Sequence, residues 1–181
     1  MKRLNFLIIC AVLLFVFESC ESFIPDPVDP RLSKYTEKGL NVSSALINDS
    51  VWIAEPAFYF KHGVDPNHYL IYQPDNDTIS IQINGNSGTI EFVFIGYGID
   101  DLQKLNKLRE KKILVGNQNF YATFNDVKAE NGQIYFKHVE STDSMAILSG
   151  TFGFTIPDPA IKVSYGRFDF KVRKGDNFRI K

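Results

Sequence analysis

The sequence predicts an all-β domain, an antiparallel sandwich or partly closed barrel, with one short helix near residues 100–110. Three observations predict it. Thr78 to Ile83 alternates polar and apolar residues with period 2, the pattern of a strand with one buried face. Glycine- and asparagine-containing turns separate β-prone runs at short intervals. The chain holds 16 phenylalanines and is 44% hydrophobic, enough to build a core without staples.

Taken in order, Val42 to Ile53 opens the strands and carries the single tryptophan, Trp52. Ala57 to Lys61 is aromatic-rich, and Tyr69 to Tyr72 is a short run ended by Pro74. Thr78–Ile83, a turn over Asn84–Gly88 and Thr89–Ile95 form a hairpin. A second hairpin is expected from Phe120–Val127 to Gln133–Val139, turning at Glu130-Asn131-Gly132, because Asn-Gly tolerates positive φ. Met145–Ile156 and Ile161–Val172 are the last long strands, joined by a loop holding Pro157 and Pro159. The helix is read from Asp100-Asp101 at its start, lysines later, and Leu102, Leu105 and Leu108 on one face. It is expected to pack on a sheet as a lid or plug.

The first residues read as targeting signal. Lys2 and Arg3 precede an unbroken apolar run of 12 residues, Phe6 to Phe17, with Ser19 as the small residue before a cut. A bilayer core needs about 20 apolar residues, so a retained span is not expected. Cys20 follows directly. A cysteine behind such a run resembles the lipobox of bacterial lipoproteins, although Phe17 and Glu18 depart from the residues usual there. The resemblance implies cleavage before Cys20, a diacylglycerol on its thiol and a lipid anchor, with residues 1–19 as signal peptide. Residues 20–34 read as a Pro/Asp-rich tether, since Pro25, Pro27 and Pro30 favour an extended path, and 35–181 read as a single β domain. Cys10 leaves with the signal, so no disulfide, thiolate metal site or cysteine nucleophile is expected in the domain. Losing Lys2, Arg3 and Glu18 takes the formal charge from −1 to −2, and no basic stripe suggests nucleic-acid binding.

Two further motifs carry a resemblance. Trp52-x-Ala54, together with Ser149-Gly150-Thr151-Phe152-Gly153-Phe154 and Gly166-Arg167-Phe168-Asp169-Phe170, resembles a family of Bacteroidota lipoprotein domains of unknown function. It implies an all-β, lipid-anchored envelope protein, in the outer membrane, and no mechanism. Asp49-Ser50-Val51, Asp77-Thr78-Ile79 and Asp143-Ser144-Met145 look like the acceptor triplet for O-glycosylation of exported proteins in the same group, so Ser50, Thr78 and Ser144 are candidate modified residues. The same triplets also suit ordinary turns entering strands.

Catalytic signatures are sparse. His62 and His68 flank Asp65 with a spacing that fits no standard zinc motif, and His138 stands alone; no metal site is expected. Asp75-Asn76-Asp77 lacks the glycine and glutamate of a calcium loop. Gly85-Asn86-Ser87-Gly88 lacks a phosphate-loop lysine. No nucleophile elbow occurs. Glu55, Glu91 and Glu140 are the strand-borne carboxylates a glycosidase would need. The reading is therefore a lipid-anchored envelope protein with a non-enzymatic binding or interaction domain and no cofactor, its partner an envelope protein or glycan. Tyr59, Tyr69, Tyr72, Tyr97 and Tyr121 are candidates for that surface. The alternatives are a lipocalin-like carrier of an apolar ligand and a glycan-acting hydrolase.

Overall fold

A computed structural model describes residues 29–55, 57–59, 63–65 and 67–181. The expected signal peptide, Cys20, most of the expected tether and His62 lie outside the described residues. The strands are β1 (Val42–Ile47), β2 (Ser50–Ile53), β3 (Ala57–Tyr59), β4 (Gly63–Asp65), β5 (His68–Gln73), β6 (Thr78–Gly85), β7 (Gly88–Ile95), β8 (Lys111–Leu114), β9 (Phe120–Phe124), β10 (Val127–Lys128), β11 (Asn131–Ser141), β12 (Met145–Ile156), β13 (Ile161–Arg173) and β14 (Phe178–Ile180). Sheet A has the order β2-β1-β13-β12-β11-β8 and sheet B the order β10-β9-β7-β6-β5-β14, with β3 and β4 a small pair apart. Pairing is antiparallel throughout except that β14 runs parallel to β5. The two sheets pack face to face as a sandwich and do not close into a barrel.

Strand alternation explains the core. Ile79, Ile81 and Ile83 of β6, Ile90, Phe92 and Phe94 of β7, and Ala146, Leu148, Phe152, Phe154 and Ile156 of β12 all point inward and are buried. Aromatic rings meet across the gap between sheets. Phe92 stands edge-on to Phe152 at 5.2 Å, and Phe94 lies 5.9 Å from Phe136. Each such ring stabilises the fold by about 1.5–3 kcal/mol through burial alone. Trp52 is fully buried and ties the edge of sheet A to sheet B, its indole Nε1 donating to the Gly88 carbonyl at 2.9 Å. Gly85 has no side chain because a Cβ there would sit 2.3 Å from that indole.

The first expected hairpin, β6–β7, forms as read. The second does not. Asn125 and Asp126, both at positive φ, turn β9 back into the two-residue β10, and the chain then crosses to sheet A. Asn131-Gly132 lies inside β11, where Gly132 is required because a Cβ would sit 2.4 Å from the Gly153 carbonyl oxygen. Val42–Ile53 is likewise two strands, turned at Asn48-Asp49 with both residues at positive φ.

The helix near 100–110 is a single 3₁₀ segment, Gln103–Leu108, not an α-helix. Three residues per turn place Leu102, Leu105 and Leu108 directly above one another, and all three are buried against the core. Among the described residues no helix is long and apolar enough to cross a membrane.

Packed structure begins slightly before residue 35. Leu32 is buried, and the Ser33 N–H donates to the Ser44 hydroxyl at 3.0 Å. Residues 32–41 form a strap across the outer face of sheet A. Its fastening is Asp169 of β13, whose carboxylate accepts hydrogen bonds from the Thr36 hydroxyl, the Gly39 N–H at 2.7 Å, the Leu40 N–H at 3.1 Å and the Ser149 hydroxyl at 2.7 Å. Burial alone would raise its pKa. The bonds from Thr36, Ser149, Leu40 and Gly39 outweigh that and hold the carboxyl below its ordinary value.

Candidate functional site

Beside the strap, the outer face of sheet A carries an open groove, and a β-bulge builds it. On β13 the inward residues are Ile161 and Val163, then Phe168, Phe170 and Val172. These two sets differ in parity, so one extra residue must lie between them. The pairing places it at Ser164-Tyr165: Phe152 faces Gly166, whereas Phe154 faces Val163. The neighbouring strand β1 shows the same step, with Ser44 facing Arg167 and Leu46 facing Ser164.

Tyr165 pivots the bulge in a left-handed conformation, φ 52°, and its side chain is 55% exposed. A non-glycine residue there costs about 1–2 kcal/mol. Gly166 follows because a Cβ would lie 2.4 Å from the Phe152 ring. Across the sheet, Leu114, Gln133 and Gly153 pair in a row that reaches the bulge. With no side chain at Gly153, the floor stays open.

The result is a cavity of about 380 Å³ lined by Gln133, Thr151, Gly153, Tyr165 and Arg167 among others. It adjoins, at Gly153, a shallower one of about 240 Å³ bordered by Asn131, Thr155 and Lys162. Arg167 is 4% exposed, and its Nη1 donates to the Ser33 carbonyl at 3.1 Å, which fixes the guanidinium between strap and groove. The groove thus offers one aromatic face, two amides, two threonine hydroxyls and two cationic groups on a rigid sheet. That set can hold a polar chain by stacking and hydrogen bonding.

The tyrosines read from sequence lie elsewhere. Tyr69 is buried with the Arg179 guanidinium 4.1 Å from its ring centre. Tyr121 is half-buried under the Lys128 ammonium at 4.4 Å, and Tyr97 packs edge-on against Phe94 at 5.4 Å. Tyr72 packs against the core. The side chain of Tyr59 lies outside the described residues. Tyr165 does not stand out in the sequence because Ile161–Val172 reads as one unbroken strand. The parity change between Val163 and Phe168 is the signal that betrays the bulge.

His68 is a core residue. Its ring is 1% exposed, stacked on Phe170 at 4.7 Å, with Nε2 2.7 Å from the Ser43 hydroxyl and Nδ1 2.6 Å from Asn67 Oδ1. Asn67 Nδ2 donates to the Asn41 carbonyl, so Oδ1 faces the ring, Nδ1 carries the proton and Nε2 accepts from Ser43. Burial pushes the ring pKa down to about 3, with the Asp169 charge opposing weakly. Both ring nitrogens are engaged. The order serine–histidine–amide is that of a hydrolase relay, but Ser43 is itself 1% exposed, between the sheets. His138 lies on sheet A between Glu37 and Glu140, at 4.0 and 3.9 Å. Glu91 is on sheet B, Glu140 on sheet A, and Glu55 beyond the end of β2.

Ser50 and Ser144 are exposed at the starts of hairpin strands. Thr78 is 7% exposed and its hydroxyl donates to the Asn76 carbonyl, which leaves it the least accessible of the three. Asp75-Asn76-Asp77 forms a plain turn in which Asp77 accepts from the Gly98 N–H. No known family model, curated protein or solved structure matches this chain.

Proposed function

We propose that the mature chain is an exported envelope protein, held to the outer membrane by lipid on Cys20, whose sandwich is a non-enzymatic domain that binds an extended polar polymer, a glycan chain, in the groove beside Tyr165. The observation that carries the reading is Tyr165 itself. An exposed aromatic residue is kept at a costly left-handed position in a cavity it shares with the glycine floor and hydrogen-bonding side chains. Such backbone cost persists only where the surrounding structure enforces it, and it concentrates at functional sites. An exposed ring flanked by amide, hydroxyl and guanidinium groups suits the apolar face and hydroxyl edge of a sugar. Two carriers of the lipid reading support the location: the apolar run ending before Cys20 and the proline-rich spacer behind it.

The test is titration of envelope oligosaccharides into the purified chain by calorimetry. Saturable binding that falls at least about tenfold in Tyr165→Ala, with unfolding temperature retained, supports the reading. Equal binding by wild type and variant removes the groove from it. Mass spectrometry of the mature N-terminus tests the anchor separately, since an unmodified Cys20 or a start elsewhere would contradict it.

A further inference from the structure

On the far side of the strap, β13 carries a second site of different chemistry. The strap crosses at Asp169, and beyond it Lys171 and Arg173 project from alternate positions of the strand. They border a half-enclosed basin of about 310 Å³ whose other lining residues are Gly39, Asn41, Asn67, Asp176 and Asn177.

We propose that this basin binds one acidic sugar residue, a uronic acid, through its carboxylate and hydroxyls. The walls are fixed in place. Asn177 donates from Nδ2 to the carbonyls of His68 and Lys171 and accepts the Arg173 N–H at 2.8 Å. Asn41 Oδ1 accepts the Lys171 N–H, and Asn67 is held between Asn41 and His68. Gly39 packs on the Lys171 stem so closely that a Cβ would lie 3.1 Å from it, which confines the side chain along the wall of the basin.

Three groups are left to meet a ligand. Among the described residues, neither Lys171 nor Arg173 is in an ion pair, and the Asp176 carboxylate has no cationic partner. Lys171 and Arg173 set against Asp176 leave the basin one net positive charge, which matches a monovalent carboxylate. Asp176 and the Asn41 amide then serve the hydroxyls, one as acceptor and one as donor. A phosphate dianion fits less well. It would gain no backbone N–H donors here, because those of Gly39, Lys171, Arg173 and Asp176 are already spent within the fold. It would also face Asp176. The volume lies at the small end for ligand sites, which suits one ring better than a chain.

The experiment is calorimetric titration of the purified full chain with glucuronate, glucose and inorganic phosphate. Glucuronate is expected to bind saturably at about millimolar Kd, with glucose at least about tenfold weaker. Lys171→Gln combined with Arg173→Gln should abolish glucuronate binding, Asp176→Asn should weaken it about threefold or more, and Tyr165→Ala should leave it unchanged. The last variant separates this site from the groove, so either can fail alone. Glucose binding as well as glucuronate, phosphate binding more tightly than glucuronate, or no saturable binding would each overturn the proposal. So would retention of binding in the folded double variant.

Discussion

Acidification from pH 7.5 to 5 should destabilise this domain through one residue, His68. The ring is buried, stacked and hydrogen-bonded as a neutral group, and its pKa falls from 6.5 to about 3. The unfolded chain takes up a proton near pH 6.5, while the folded chain refuses it until far lower. The stability that the neutral ring contributes is therefore complete above pH 6.5 and is lost as pH falls through the window from 6.5 to about 3. Each pH unit costs about 1.4 kcal/mol, so at pH 5 the loss is about 2 kcal/mol. Asp169 acts in a separate window. Its folded pKa is depressed, so its contribution persists above 3.8 and is lost only as pH falls through the lower folded value. Urea unfolding followed by fluorescence of Trp52, the sole tryptophan and fully buried, reads the effect directly. His68→Gln should lower stability at pH 7.5 yet flatten the dependence between pH 7.5 and 5. Wild-type stability that stays constant across that range, or a variant that keeps the full slope, would rule out His68 as the source of the pH dependence.

Three further outcomes follow from the same geometry. Asp169→Asn should cost about 1–3 kcal/mol by leaving the donors from the strap and Ser149 poorly matched, and limited proteolysis should then cut within residues 32–41 before the sandwich unfolds. Tyr165→Gly removes the left-handed penalty, so thermal unfolding should show stability unchanged or raised by up to about 1 kcal/mol while oligosaccharide binding is lost. Gly85→Ala forces a methyl into the Trp52 indole and should cost about 1–3 kcal/mol, with a shifted Trp52 emission as the accompanying sign.

The long strands were legible in the sequence because period-2 alternation is a direct image of a sheet with one buried face. β6, β7 and β12 follow it, and β13 follows it on either side of its bulge. The tight hairpins at Asn48-Asp49 and Asn125-Asp126 were less visible. Each puts two non-glycine residues at positive φ, without the Asn-Gly pair that advertises such turns, while Asn131-Gly132 sits at the start of β11 for a packing reason. Leu102, Leu105 and Leu108 announced a buried stripe, but their spacing of three suits a 3₁₀ turn better than an α-helix. The groove was hidden for a related reason. Tyr165 looks like any strand tyrosine until the parity change from Val163 to Phe168 is traced, and the roles of Asp169 and His68 depend on partners 130 and 25 residues away. Those contacts are products of topology, which local patterning does not encode.

We propose glycan binding on the outer face of sheet A, at the β13 bulge. Amide chemical-shift mapping of isotopically labelled chain during titration with envelope oligosaccharides tests it most directly. Saturable shifts are expected to cluster at Gln133, Thr151, Gly153, Tyr165 and Arg167. Shifts confined to sheet B, or no saturable change at the groove, would contradict it.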